Sequence, residues 1–387
     1  MNEYLKLVSE SETIRFADLV RRVEATGKKV IKLETGDPDF ATHQVIIKAG
    51  YDAMQAGYTH YGVSRGLPEL RAALARKLIS ENKITADPSK EILVTNGGVH
   101  GLYLAMQAIL NPGDEVIVPE PYWMPYRSGT LLARAVPVIV SATQSGFKLT
   151  AEQLKKAITA KSKLLMLNSP GNPSGAVYSE AELRTICEIA CDAGLYIISD
   201  EVYEKILHDD TKHWSIGSDD RFKNNVVSLF SFSKSYAMTG WRVAYVVANE
   251  ALTAQMLKVL QYSITVVAPF VQKAALAALT HPESEAYLQA MKREYSARRE
   301  VIKTLARQLP AGVVNIPDGA FYCLINTAQL GMKSLECAEH FLTEHNVSFT
   351  PGRAFGNGME NYLRMTFAAS IDDIKYGMGK LISAFSK

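Results

Sequence analysis

A lysine and an arginine, Lys234 and Arg242, flank a turn in the segment SFSKSYAMTGWR (231–242), with apolar runs on either side. An apolar neighbourhood suits a nucleophilic amine, because desolvation disfavours the ammonium and raises the neutral, reactive fraction. Ser231 and Arg242 could hold a dianionic phosphate beside it through charge-assisted hydrogen bonds. A lysine in such a loop is more often simply solvated, so the reading needs partners. Three other segments offer them. TNGG (95–98) leads directly into a helix, where the backbone N–H groups of Gly97 and Gly98 and the helix terminus favour an anion, although Gly-Gly before a helix is structural at least as often. SDEVY (199–203) supplies a carboxylate, Asp200, and a phenol, Tyr203, and NSPGNPSG (168–175) supplies the amide of Asn172 in a turn stiffened by proline and glycine. Taken singly, Asp200 could be a helix N-cap and Asn172 a turn former.

These segments must be held by the elements around them. Short β-branched runs bounded by turn signals occur at 91–94, 115–118, 136–140, 163–167, 195–199, 226–230 and 242–247. Their near-continuous apolarity predicts strands buried on both faces. Between most of them lie helical stretches such as 180–193, where apolar positions recur every three or four residues and Gly194 follows as a C-cap. Strand and helix alternating in this way predict an α/β fold with a seven-stranded, mainly parallel sheet between helices. Every candidate group then falls at a strand end, where open α/β sheets place their ligands. Near Pro282 the pattern changes to a long charged amphipathic helix, then to fewer strands and a closing helix. The first 45 residues hold one helix (11–26) and one short strand, too few to stand alone. The expected division is a large domain at 46–285 and a smaller α+β domain built from 1–45 and 286–387.

Composition narrows the partners. The chain has 387 residues, 47% hydrophobic and 21% charged, enough for a sizeable core. A net charge of +2, from 42 basic against 40 acidic side chains, gives no field that would favour nucleic acid or anionic lipid. The N-terminus lacks the layout of a signal peptide and no stretch is apolar enough for a membrane span, so a cytoplasmic location is expected. Cys187 and Cys191 stand at helical i, i+4 spacing without further ligands nearby, which reads as buried structural thiols. His340 and His345 do not form HExxH, and no metal site is expected.

Eight spaced motifs in this order, TGDPDF, YGVSRGLPELR (61–71), EPYW, NSPGNPSG, SDEVY, SFSKSYAMTGWR, DGAFY and YLRMTFA, resemble the class I/II aminotransferases, which are fold-type-I pyridoxal-phosphate enzymes. The resemblance runs over nearly the whole chain. It implies exchange of an amino group between an L-α-amino acid and a 2-oxo acid by a ping-pong mechanism, with aspartate, aromatic or broad specificity. It implies pyridoxal 5'-phosphate as cofactor, bound to Lys234 as a Schiff base, with Lys234 later shuttling a proton at the substrate Cα. Asp200 would pair with the pyridine nitrogen and keep the ring protonated. Tyr203 and Asn172 would bond the phenolic oxygen, and Trp123 would stack on the ring. Gly97, Gly98, Ser231 and Arg242 would hold the phosphate, with Tyr61 reaching in from the other subunit of a homodimer with shared active sites. Arg364 would clamp the substrate carboxylate in bidentate fashion and Gly36 would leave room opposite it. Trp123 and Asn172 would also touch substrate, and Asn172-Pro173 should be a cis peptide.

Specificity is less legible. One bacterial aspartate aminotransferase subgroup has a lysine directly after the double glycine, where this chain has Val99 followed by His100. Arg353, in PGRAFG, is either a reader of an acidic substrate or a solvated loop arginine. Tyr58, Tyr122, Phe321 and Tyr322 could line an apolar side of the pocket or belong to the core. A β-lyase or synthase would use the same Lys234, Asp200 and Arg364, because fold and cofactor do not select the reaction. A non-catalytic cofactor-binding sensor fused to a DNA-binding head is the remote alternative, not expected of a chain with no basic surplus and no additional N-terminal domain. A nicotinamide dehydrogenase would need GxGxxG after a strand with an acidic residue about 20 positions on, and the sequence has none.

Overall fold

The computed structural model describes residues 3–386. Its main sheet has seven strands: β1 (Ile92–Thr95), β2 (Glu115–Glu120), β3 (Val136–Ser141), β4 (Ser162–Asn168), β5 (Tyr196–Asp200), β6 (Val226–Ser231) and β7 (Ala244–Val247). Their spatial order is β1-β7-β6-β5-β4-β2-β3. The run β3-β2-β4-β5-β6 is parallel, and β7 alone is reversed, pairing antiparallel with both β6 and β1. The α/β class and the mainly parallel seven-stranded sheet are therefore as the sequence implied.

Two details differ from the sequence reading, each for a local reason. β3 is not buried on both faces: Val136 is 48% and Ile139 39% exposed. It is one of the sheet's two edges, paired only with β2, and its Pro137 has no N–H to offer a further strand. β7 starts two residues later than its apolar run, because Arg242 has φ 55°, in the left-handed region that an extended strand excludes. Arg242 thus belongs to the turn before the strand.

The helix Glu180–Asp192 illustrates how closely local chemistry fixes the elements. Ser179 and Glu182 form a capping box at its start, each side chain bonding the other's backbone N–H. Leu183, Ile186, Cys187 and Ala190 then fall on one buried face, and Gly194 follows at φ 73°. Cys187 packs in that core cluster beside Leu165 and Ile197 of the sheet.

A second, three-stranded antiparallel sheet has the order β9-β10-β8, with β8 at Tyr322–Asn326, β9 at Thr350–Pro351 and β10 at Tyr362–Thr366. The N-terminal segment attaches here. Ile31–Lys32 pairs in parallel with Val347–Ser348, and Phe16 and Val20 of the helix Glu12–Glu24 enter one core cluster with Phe349, Leu363 and Leu381. The 25-residue helix Pro282–Ala306 adds Tyr295 and Ile302 to the same cluster. Among the described residues no helix is long and apolar enough to cross a membrane.

Replacing Ser179 by Ala removes one half of the capping box. The expected loss is about 1 kcal/mol, read as a lower urea midpoint with an unchanged slope.

Candidate active site

Reversal of β7 gathers the candidate groups at one edge of the sheet. β4, β5 and β6 end there with Asn168, Asp200 and Ser231, and register pairs Asn168 with Asp200. β1 ends there too, opposite Ala244, and Thr95 leads through Gly97 into the helix Gly98–Ile109. Because β7 begins at this edge, Arg242 is delivered from before a strand while the others come from after one. Above the edge lies a cavity of about 590 Å³, lined among others by Gly36, Gly98, Asp200, Lys234, Arg242 and Arg364.

Lys234 sits on the single helical turn Phe232–Ser235 rather than in an open loop. Ser231 caps that turn, its Oγ accepting from the Ser233 N–H at 3.1 Å. The Lys234 ammonium donates to the Gly36 carbonyl. Burial pushes the amine down to about 8; Asp37 opposes the shift, and the charges of Arg364 and Arg242 add to it. The loop that brings Gly36 is stitched to the lysine segment. Thr42 bonds the Ala237 carbonyl, Trp241 Nε1 donates to Thr42 Oγ1 at 3.0 Å, and Thr239 Oγ1 donates to Asp37 at 2.7 Å.

Asp200 is 2% exposed, and among the described residues no side-chain cation pairs with it. Its Oδ2 accepts from the Tyr126 hydroxyl at 2.6 Å and its Oδ1 from the Val202 N–H at 3.3 Å. Burial raises it to about 6, against the pull of those two bonds. The Tyr203 phenol, also buried, shares a hydrogen bond of 3.0 Å with Tyr322. Burial holds Tyr203 far above the ordinary phenol range.

Arg364 lies on β10, the middle strand of the smaller sheet, with its guanidinium between the rings of Tyr322 and Phe355 at 4.5 and 4.9 Å. Its Nη1 donates to Asn172 Oδ1 at 3.1 Å, and its Nη2 donates to Thr350 Oγ1 at 3.0 Å and to the Glu34 carbonyl. Its buried Nε has no hydrogen-bond partner among the described residues. Asn172-Pro173 is cis, and the Asn172 N–H donates to Asn168 Oδ1 at 2.8 Å. Two glycines keep space open. A Cβ on Gly36 would lie 2.6 Å from the Tyr322 hydroxyl, and one on Gly97, whose φ is 81°, would collide with the Arg242 guanidinium. Trp123 also lines the cavity, its ring edge-on to Tyr126 with centroids 5.6 Å apart.

The sequence model of the family described as aminotransferase class I and II matches residues 28–381. The chain belongs to this family. It is similar to an aspartate aminotransferase of Pyrococcus abyssi, 37% identical over 98% of this chain and 97% of that one. It is also similar to aromatic-amino-acid aminotransferase 2 of Thermococcus litoralis, at 33% over 98% and 97%. Among solved structures, the aspartate aminotransferase of Thermus thermophilus with maleate superposes with a TM-score of 0.94, 32% identity and 99% coverage of both chains.

Within this aminotransferase, eleven of the twelve sequence candidates line the cavity or touch a group that does. Gly97 is one of the latter, packed on Arg242. Tyr61 is the clear exception: it is 87% exposed and borders a separate surface hollow with Val266 and Pro269. Ser231 lies at the cavity, but its hydroxyl already caps the lysine turn. Arg353 lies outside the cavity, 3.6 Å from Glu12, in an outer hollow with Tyr122 and Arg127. Val99 lines the cavity. His100 turns away to Ser263 at 3.1 Å, and burial lowers its ring to about 4. Of the four aromatics, only Tyr322 lines the cavity. Phe321 lies behind it in the core, and Tyr58 lies under Lys273 on the surface. Sequence reasoning missed Tyr126, the one side chain that bonds Asp200. It lies 74 positions away in an ordinary helical start, PYRSG, and nothing in its local sequence marks it.

Removing the Asp200 charge should stabilise the cofactor-free chain. With the carboxyl raised from 3.8 to about 6, its ionised form carries a penalty that is absent below pH 4 and complete above pH 6. Two pH units correspond to roughly 3 kcal/mol at most. Asp200→Asn should therefore melt higher than the parent at pH 8, and the gap should close by pH 4. An equal gap at both pH values would show that the carboxyl is not raised.

Proposed function

We propose that this cavity binds pyridoxal 5'-phosphate and that the chain uses it to exchange amino groups between an L-α-amino acid and a 2-oxo acid. The observation that carries the reading is a poised amine, Lys234, sharing one cavity with a cation-less buried carboxyl, Asp200, and an arginine, Arg364, with an open buried donor. The residues present fit the group. Gly97 leaves Arg242 and the start of the helix Gly98–Ile109 free for a phosphate that a side chain there would displace. Asp200 lacks the cation that a protonated pyridine nitrogen would supply. When bound, the cofactor supplies the aldehyde that captures the substrate amine and the ring that takes up the electron pair left at Cα.

Each residue then has a task set by its chemistry. Lys234 would carry the cofactor at rest and, once freed, would take the proton from Cα of the donor in one half-reaction and give one to Cα of the acceptor in the other, a role suited to an amine lowered to about 8. Asp200, held by Tyr126, keeps the ring nitrogen protonated. Tyr203 and Asn172 donate toward the phenolic oxygen, and Trp123 packs on the ring face. Gly97, Gly98, Ser231 and Arg242 hold the phosphate. Arg364 takes the α-carboxylate in a bidentate pair, its plane fixed by Tyr322 and Phe355, with Gly36 leaving room opposite.

The exposure of Tyr61 outside its own cavity supports a homodimer in which this phenol reaches the partner's phosphate. Residues 46–285 would then be the cofactor-carrying domain, with 1–45 and 286–387 forming the smaller one. Ile14, Val99, Met124 and Phe355 give the cavity apolar walls, which supports aromatic and aliphatic donors beside the acidic ones for which some relatives are named. The position of Arg353, outside and beside Glu12, does not support its reading an acidic side chain.

The test is a half-reaction. The holoenzyme mixed with an amino donor alone should release one equivalent of 2-oxo acid per chain and stop, restarting when 2-oxoglutarate is added. Continuous release of ammonia would instead assign a lyase. Lys234→Ala should lack the visible band of the lysine-bound cofactor and lose 10²–10⁴-fold in turnover or more. Arg364→Lys should keep the band and raise KM about tenfold to a hundredfold.

A further inference from the structure

The turn that presents Asp200 and Tyr203 to the cavity has a second, buried face that the proposed reaction does not use. Glu201 and Glu204 point into it. Glu201 is 1% exposed, and its carboxylate accepts from Ser199 Oγ at 2.9 Å, from Ser215 Oγ at 2.5 Å and from His213 Nε2 at 2.8 Å. Asn82 extends the cluster, donating to Ser215 at 2.8 Å and to Glu204 at 2.6 Å, while Lys77 donates to Asn82 Oδ1 at 2.8 Å and pairs with Glu204.

The charges facing this cluster can be paired off. Lys77 and Glu81 come from residues 68–82, Glu204 and Lys205 from the turn, the Cys187 thiol from the helix Glu180–Asp192 and the Tyr245 phenol from β7. Lys77 neutralises Glu204, and Lys205 neutralises Glu81 at 2.8 Å. Burial holds both the thiol and the phenol in their neutral forms. Glu201 is left with one possible counter-charge, the His213 ring. Burial disfavours the imidazolium, but the hydrogen bond and the charge of Glu201 more than offset it, so His213 titrates above its ordinary value. The cluster is neutral only while His213 is protonated.

We propose that Glu201 and His213 are positioning residues for the reaction: a buried ion pair behind the turn that sets the charge felt at Asp200, one residue away. This rests on the cofactor reading above. If His213 loses its proton or is replaced, an uncompensated negative charge is left on the residue next to Asp200, a charge that raises the Asp200 carboxyl. That charge favours protonation of the groups Asp200 faces, at a strength of the order of one pH unit.

The visible absorbance of bound pyridoxal 5'-phosphate reports this charge through its pH midpoint. His213→Gln should raise the midpoint of the holoenzyme by about one unit. Glu201→Gln, whose amide can accept from one of Ser199 and Ser215 and donate to the other and which should fold even if His213→Gln does not, should lower it or leave it within a few tenths of the parent. The double variant should match Glu201→Gln alone, so that removing the carboxylate abolishes the effect of removing the histidine. Midpoints that are equal in parent, His213→Gln and double variant would overturn the proposal, leaving the cluster a purely structural support. If His213→Gln does not fold, a Glu201→Gln midpoint above that of the parent would overturn it. A parent chain that acquires no visible band at all would overturn the cofactor reading, and this proposal with it.

Discussion

Asp200 is an acid buried without a cation, and much of the site is arranged around that cost. Transfer of a carboxylate from water into protein is tolerated only when hydrogen bonds or an opposite charge replace the lost hydration. In this chain the replacements are one phenol and one backbone N–H, which is why the carboxyl sits near 6 rather than below 4. A group left in that condition stores a demand for a proton donor on the cavity side. Lys234, a buried amine brought down to about 8, and Arg364, with an unpartnered Nε, carry complementary demands in the same space. Three buried polar groups at one cavity, a depressed amine, a carboxyl without a cation and an arginine with one open donor, form a constellation that folding alone would have no reason to keep.

The sheet makes this constellation possible because its strands end at one edge with their side chains already in register. Asn168 and Asp200 are paired across β4 and β5, so the amide and the carboxyl segments leave the sheet side by side. The reversed strand β7 lets a sixth segment meet them from the opposite chain direction. Its first turn holds Arg242 in a left-handed conformation beside Gly97, where only a residue without Cβ fits. The geometry at this corner of the cavity therefore combines a left-handed Arg242 with a Gly97 that has no Cβ to collide with its guanidinium.

How far the sequence could be read follows from the range of the interactions involved. Strands and capping boxes are written in neighbouring residues, and Glu180–Asp192 or β5 could be placed from composition and spacing alone. Lys234, Asp200, Asn172 and Arg364 were singled out by eight motifs in a family's order, and they meet at one cavity although only Asp200 ends a strand and Arg364 lies in the middle of one. β3 misled because apolarity records propensity, whereas exposure depends on what covers the strand: β1 is an edge too, yet all four of its residues are buried. Tyr126 and His213 were invisible for a related reason: each acquires its meaning from a carboxylate 74 or 12 positions away, in a segment whose own sequence is unremarkable. Arg353 shows the same limit: the sequence left it open between a reader of an acidic substrate and a loop arginine, and only the fold sets it 3.6 Å from Glu12, outside the cavity.

Arg364 comes from the smaller sheet and Asp200 from the larger, so the site exists only where the two meet. The contacts at that junction are themselves site residues: Asn172 of the large sheet's loop accepts from Arg364, Tyr203 bonds Tyr322, and Gly36 accepts from Lys234. Each of these bonds is one that a ligand could replace, since the same donors and acceptors are the ones proposed to hold cofactor and substrate. Fixed anchoring is supplied elsewhere, by the Thr42, Ala237 and Trp241 stitch between the two parts, while Arg298 holds the segment carrying Gly36 from within the smaller part, bonding Asp39 through two nitrogens at 2.7 and 2.8 Å. Separating exchangeable contacts from fixed ones lets the cavity trade protein hydrogen bonds for ligand bonds while the two sheets stay in place. The clamp and the amine are thus oriented before any ligand arrives, so that little binding energy need go into ordering them.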